Sequence, residues 1–150
     1  MRITFLLSLS ILFLGCKSYS EDDIDSFNNE IKKYIEENKL ELEKSESGLY
    51  FNILEETDQA PLIRYTDQVS FYYTGEFLDG EVFQTITKDD ALKFRVQELI
   101  VGWQEGLMQL HGAGSIVLII PPHLGYGTKK TDKIPPNSIL KYTLTVTEVK

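Results

Sequence analysis

The run Leu140-Lys141-Tyr142-Thr143-Leu144-Thr145-Val146-Thr147 alternates apolar and polar residues at every position. In an extended strand that period puts Leu140, Tyr142, Leu144 and Val146 on one face and the lysine and threonines on the other. A strand with one apolar and one wet face belongs to an antiparallel sheet whose second side meets water. Other segments fit beside it. Leu49–Leu54 places Leu49, Phe51 and Ile53 together, and Val69, Phe71 and Tyr73 share the inner face of a second strand. Ser115–Ile120 is a further strand, ended by Pro121-Pro122. Leu78-Asp79-Gly80-Glu81 reads as a turn with Gly80 at positive φ. Only Glu98–Leu110 reads as helix among these strands, stopped by His111-Gly112. The fold class expected is α+β, an antiparallel β-sheet wrapped around one short helix, with an N-terminal helical extension.

That extension begins with a leader. Arg2 precedes an apolar run from Ile3 to Leu14, which is too short to span a bilayer and suits a signal peptide. The run closes as Leu12-Phe13-Leu14-Gly15-Cys16. This resembles a bacterial lipobox, with Phe13 where leucine is usual, and it implies a signal peptide over residues 1–15 and lipidation of Cys16. An ordinary signal peptide with a nearby cysteine is the alternative. Residues 16–47 then form a tether and an amphipathic helix. Ile24, Phe27, Ile31, Tyr34 and Ile35 recur at three- and four-residue steps, Asp22 or Asp23 is the expected cap, and the charged stretch from Asn38 to Ser47 reads as a linker. The strands leave Tyr50, Leu54, Val117 and Ile119 on the outward face, where polar residues are the rule. The helix is therefore expected to pack across the outside of the sheet; a helix-mediated dimer is the rival.

The totals narrow the function. A net charge of -8 cannot neutralise phosphates, which excludes nucleic acid as a partner. Loss of a leader carrying Arg2 makes the balance one unit more negative. A single cysteine excludes an internal disulfide framework or thiolate metal cluster, and the two histidines stand in no metal-ligand pattern, so no metal or cofactor is expected. Gly112-Ala113-Gly114-Ser115 leads into a strand rather than a helix and is not a phosphate loop.

The chemistry lies around Glu98-Leu99-Ile100-Val101-Gly102-Trp103-Gln104-Glu105-Gly106, which holds the only tryptophan. Upstream stand Tyr73-Thr74-Gly75 and Asp79-Gly80-Glu81-Val82-Phe83. Downstream stand Pro121-Pro122-His123-Leu124-Gly125-Tyr126-Gly127 and Ile134-Pro135-Pro136. In this order the motifs resemble the FKBP family of peptidyl-prolyl cis/trans isomerases, over residues 48–150. The resemblance implies a proline-accepting pocket with Tyr73, Phe83, Trp103 and Tyr126 as catalytic residues and Leu92, Leu99, Ile100, Ile134 and Tyr142 as substrate-binding residues. Trp103 would be its floor, the Tyr126 hydroxyl would meet one ligand carbonyl, and the Ile100 N–H would meet another. Gln84 stands where the family usually has an aspartate. The loop after Tyr126 carries Lys129, Lys130 and Lys133 where apolar residues are common.

The implied function is isomerisation of Xaa-Pro bonds in exported proteins, with Xaa-Pro clients and macrolides as ligands. The implied location is the bacterial cell envelope, through a lipid anchor in a membrane. Lipoprotein FKBPs of this size resemble those associated with gliding motility. The other reading is a Pro-peptide-binding or chaperone module without useful turnover, which the Gln84 substitution keeps open.

Overall fold

The computed structural model describes residues 19–57 and 59–150. The leader and Cys16 fall outside the described residues. The first element is helix α1 (Glu21–Asn38). Its cap is Ser20, not Asp22 or Asp23. Ser20 is extended and its Oγ accepts the Asp23 N–H at 3.1 Å, while the Ser20 N–H donates to Asp23 Oδ2 at 3.0 Å. Asp23 thus closes a capping box from the third helical position, and acidic side chains fill the first turn where the helix dipole favours them. Lys39 ends the helix in the left-handed region at φ 53°.

The charged stretch beyond it is more ordered than a linker. Leu40 and Leu42 turn inward, and Glu43–Lys44 forms a short strand, β1, against Tyr50–Glu56, β2. Charge dominated the sequence pattern there, and two leucines among carboxylates and lysines suffice to tie the segment down. The remaining strands are β3 (Gln68–Glu76), β4 (Val82–Ile86), β5 (Leu92–Arg95), β6 (Gly114–Ile120) and β7 (Leu140–Val149). Their order is β1-β2-β6-β7-β3-β4, with β5 also on β3, and every pairing is antiparallel.

The helix inside the domain, α2, covers only Val101–Leu107, against the longer Glu98–Leu110 expected. Leu99 and Ile100 are extended, at ψ 168° and 152°, after a 3-10 turn at Val96–Glu98. The Gln104 side chain explains this: its Nε2 donates to the Leu99 carbonyl at 2.7 Å and to the Gln97 carbonyl at 3.3 Å. It holds outside the helix two carbonyls that a longer helix would draw into its own ladder. Gly102 and Gly106, four residues apart on one face, let α2 lie directly on β6. A Cβ at Gly102 would fall 2.6 Å from Ile120 Cγ2, and one at Gly106 would fall 2.5 Å from Leu118 Cδ2. Leu107, Leu118, Ile120, Phe71 and Leu144 form the centre of the core between helix and sheet.

The opposite face of the sheet is also covered. Ile31 is fully buried against Tyr50, Ile119 and Ile139, and Phe27, Tyr34 and Ile35 flank it. The helix therefore docks in cis, as the apolar outward face required. Two residues of that outward face differ from the expectation: Leu54 remains 51% exposed, and Val117 is only half-buried. Both lie farther along their strands from the Tyr50–Ile119 pair, and neither belongs to the cluster around Ile31. Lys141, on the same face, pairs with Glu76 at 2.6 Å and lies 5.9 Å from the Tyr34 ring centre.

Candidate active site

An apolar cavity of about 350 Å³ opens where the end of β5, the extended Leu99–Ile100 segment and α2 meet the inner face of the sheet. Seven of the residues named from sequence line it: Tyr73, Leu92, Leu99, Ile100, Trp103, Tyr126 and Tyr142. Phe83 and Ile134 do not line it. Both are buried in the same core, and the Phe83 ring stands edge-on to Tyr142 with centroids 5.7 Å apart. Gly75 permits that contact, since a Cβ there would fall 2.6 Å from Phe83 and 2.7 Å from Tyr142. Cys16, the residue named for lipidation, is outside the described residues.

Trp103 is 5% exposed and is clamped upright. Tyr73, Tyr142 and Phe71 meet it edge-to-face, with centroids 4.8, 4.9 and 5.2 Å away and interplanar angles of 85°, 88° and 77°. Such contacts add to the burial of the rings themselves and fix the indole in one orientation. Its Nε1–H is buried with no partner among the described residues.

Alternation explains how the strands deliver these rings. Val69, Phe71, Tyr73 and Gly75 face inward along β3, and Leu140, Tyr142, Leu144 and Val146 face inward along β7. Three lining residues escaped the sequence reading: Phe71, Phe94 and Glu98. Phe71 had been placed on the inner face but not in the pocket. Phe94 follows Leu92 by two on β5, so the period that places Leu92 also places Phe94. Gln104 escaped as well; no pattern in the sequence signals a side chain that bonds back to the carbonyls before its own helix.

The polar groups are few. Ile100 is the N-cap of α2, and its N–H lies outside the helix's own ladder. Tyr73, Tyr126 and Tyr142 bring three phenols to one wall. Burial, then the Tyr126 phenol, pushes Tyr73 above the usual tyrosine range. Burial, reinforced by Tyr126 and Tyr73, pushes Tyr142 far above it. Both stay protonated, and so neutral, at neutral pH. Glu98 is the one carboxylate on the lining, and it is already engaged by the Arg95 N–H at 2.8 Å.

Gln84 is not among the residues that line the cavity. The register sets it opposite Gly75 and sets Ile86 opposite Tyr73, with a bulge that leaves Phe83 unpaired. Gln84 is therefore on the sheet face of Tyr73 yet exposed. The chemical capacity of the site is that of an apolar, aromatic receptacle with neutral donors. It presents no nucleophile, and no group of ligand-type side chains suited to a metal occurs among the described residues.

A family model described as FKBP-type peptidyl-prolyl cis-trans isomerase matches residues 61–147. The chain is similar to the FKBP-type peptidyl-prolyl cis-trans isomerase FkpA of Escherichia coli strain K12, at 36% identity over 132 residues, covering 84% of this chain and 48% of that protein. It is similar to a probable FKBP-type peptidyl-prolyl cis-trans isomerase of Haemophilus influenzae, at 32% identity, covering 87% of this chain and 52% of that protein. The crystal structure of FkpA from Escherichia coli superposes with a TM-score of 0.73 at 33% identity, covering 87% of this chain and 62% of that one. A peptidyl-prolyl cis-trans isomerase from Pseudomonas syringae shares the fold, with a TM-score of 0.69 at 21% identity over 91% of this chain and 99% of its own. The chain spans about half the length of the curated relatives it matches.

Proposed function

The chain belongs to the FKBP-type peptidyl-prolyl cis-trans isomerase family, and from that premise we propose that it catalyses cis/trans rotation about Xaa-Pro bonds in the pocket over Trp103. The observation that supports the reading is the clamped Trp103 ring on the lining of an open apolar cavity that Ile100 and Tyr126 also line. The reaction needs no covalent step. The amide barrier, about 18–20 kcal/mol, comes from resonance that places charge on the carbonyl oxygen. Water stabilises that charge and so favours the planar ground state. A dry pocket withdraws the solvent, and a shape fitted to the twisted amide binds the transition state selectively. A millionfold acceleration asks for about 8 kcal/mol of such selectivity. The proline ring stacks on Trp103, and the Ile100 N–H and the Tyr126 hydroxyl hold flanking carbonyls so that rotation is confined to one bond. Macrolides that mimic a twisted prolyl amide fit the same receptacle.

A refolding assay limited by proline isomerisation, run on residues 17–150, tests the reading. Acceleration that disappears in Trp103→Ala protein that still folds is expected. Refolding at the uncatalysed rate with the wild-type protein would sink it. The second reading, a module that binds proline-containing segments with little turnover, rests on an uncharged Gln84 at the position where the family usually has an aspartate. Under it, Gln84→Asp should raise turnover while leaving peptide affinity nearly constant.

The setting proposed is the cell envelope, with exported proteins as clients and a lipid on Cys16. Its support is the sequence Gly15-Cys16 after the apolar run; among the described residues no helix is long and apolar enough to cross a membrane. Three peptide units join Cys16 to Tyr19, a reach of about 10 Å, so the anchor would hold the domain close to the bilayer. Fatty-acid probe incorporation should vanish in Cys16→Ser, and equal labelling of both proteins would refute the anchor.

A further inference from the structure

One residue of the α1 stripe does not dock. Phe27, Ile31 and Ile35 enter the cluster on the outer face of the sheet, but Ile24, one turn before Phe27, does not. It lines a separate cleft of about 610 Å³, whose wall also includes Tyr19, Pro122 and Lys129. Ile100 and Tyr126 line this cleft as well as the pocket over Trp103, so the two spaces share a border.

The far wall is built rather than incidental. The Tyr19 hydroxyl donates to Asn137 Oδ1 at 2.7 Å, and the Asn137 N–H donates to the Gly127 carbonyl at 2.8 Å. The Tyr19 ring stands edge-on to Phe27 and His123, with centroids 5.4 and 6.4 Å away. His123 Nε2 in turn donates to the Ser47 carbonyl at 2.9 Å. Residues from the start of the extension are thus pinned to the loop that carries Tyr126.

We propose that this cleft binds the client residues flanking the Xaa-Pro bond, with a bulky apolar side chain seated against Ile24 and Tyr19. Helix α1 then reads client sequence that the prolyl pocket does not reach. The inference rests on the prolyl-isomerase reading and deepens it. The occupant follows from continuity: a peptide whose carbonyls are held at Ile100 and Tyr126 crosses the shared border, and at about 3.3 Å per extended residue its next side chains arrive in the cleft. The apolar preference follows from Ile24, Ile100, Pro122 and the Tyr19 ring.

The test compares kcat/KM for a set of peptides with one central Xaa-Pro pair and three flanking residues on each side, with leucine or serine placed two and three residues away from the pair on either side. Wild-type protein should favour leucine over serine by about fivefold or more on one side, the value of partly burying one apolar side chain. Ile24→Ser should bring that ratio close to one, and Ile24→Leu should preserve it. Because the readout is a ratio within one protein, a general loss of folding or of the prolyl pocket does not imitate the result. Absence of a flanking preference in the wild type, or its persistence in Ile24→Ser, overturns the proposal. So does a dimer that Ile24→Ser dissociates, which would make a second copy the occupant. No turnover of any peptide by the wild type overturns the prolyl reading itself, a separate outcome.

Discussion

Ile31→Ala tests whether α1 and the domain form one cooperative unit. Ile31 is fully buried on the outer face of the sheet, against Tyr50 of β2 and Ile119 of β6. The residues next to them in sequence, Leu49, Phe51, Leu118 and Ile120, are in the main core beneath α2. The same backbone therefore supports both clusters. Truncation to alanine removes three carbons, about 2.4 kcal/mol of transfer free energy at roughly 0.8 kcal/mol each. A cavity contribution raises this, but the cluster is bordered by half-buried side chains that can relax, so the expected cost is about 2.5–3.5 kcal/mol. Ile31→Val, losing one methylene, should cost about 0.5–1.5 kcal/mol. Urea unfolding followed by Trp103 fluorescence is the informative assay, because Trp103 lies on the opposite side of the sheet from Ile31. With a slope of about 2 kcal/mol/M, the alanine variant should shift the Trp103 midpoint down by about 1.5 M. Far-UV circular dichroism should report the same midpoint, independent of protein concentration. A Trp103 midpoint that stays in place while helical signal is lost early would show that α1 is a separate appendage. A midpoint that rises with protein concentration would mean the helix is buried between copies.

Three further outcomes follow from individual contacts. Gly106→Ala forces a Cβ to within 2.5 Å of Leu118, and should destabilise by about 1–3 kcal/mol, measured by the same urea titration, despite alanine's better helix propensity. Tyr126→Phe should weaken binding of Xaa-Pro peptides by about 0.5–1.5 kcal/mol, the net worth of one hydrogen bond, in calorimetric titrations in which Trp103 fluorescence still responds. Asp67 accepts the Arg64 N–H at 2.9 Å and pairs with the guanidinium at 3.0 Å, the backbone bond being the first cause of a carboxyl held below its usual range. A lowered folded-state value gives stability that is present above the unfolded value near about 3.9 and lost as pH falls through the folded one. Thermal melts of Asp67→Asn should therefore fall below wild type at pH 7, with a difference that shrinks as the pH is lowered into acid; a difference that stays constant from neutral pH into acid would refute the assignment.

What the sequence revealed of this molecule, and what it concealed, both follow from period. β3 and β7 alternate strictly, so their inner faces, and with them Tyr73 and Tyr142, could be read directly. β6 is apolar at consecutive positions, Ile116 to Ile120, which is the mark of a strand buried on both sides; that run, with Tyr50, pointed to a helix on the outer face. The short strand β1, the Ser20 cap and the extended Leu99–Ile100 turn had no period to betray them. Each is fixed by local hydrogen bonds, and of the three only the cap carries a sequence signature, the spacing of Ser20 and Asp23. Leu54 was assigned to the covered patch because alternation gives the face of a side chain but not how far along the strand the covering helix reaches. The phase of α1 ties these levels to the site. Ile24 and Ile31 are seven residues apart, nearly two turns, so they share a face but lie about 10.5 Å apart along the axis. Seating Ile31 over the Tyr50–Ile119 pair thus carries Ile24 past the edge of the sheet to the loop that holds Tyr126. The packing that stabilises the outer face is therefore also what delivers an apolar side chain to the border of the pocket.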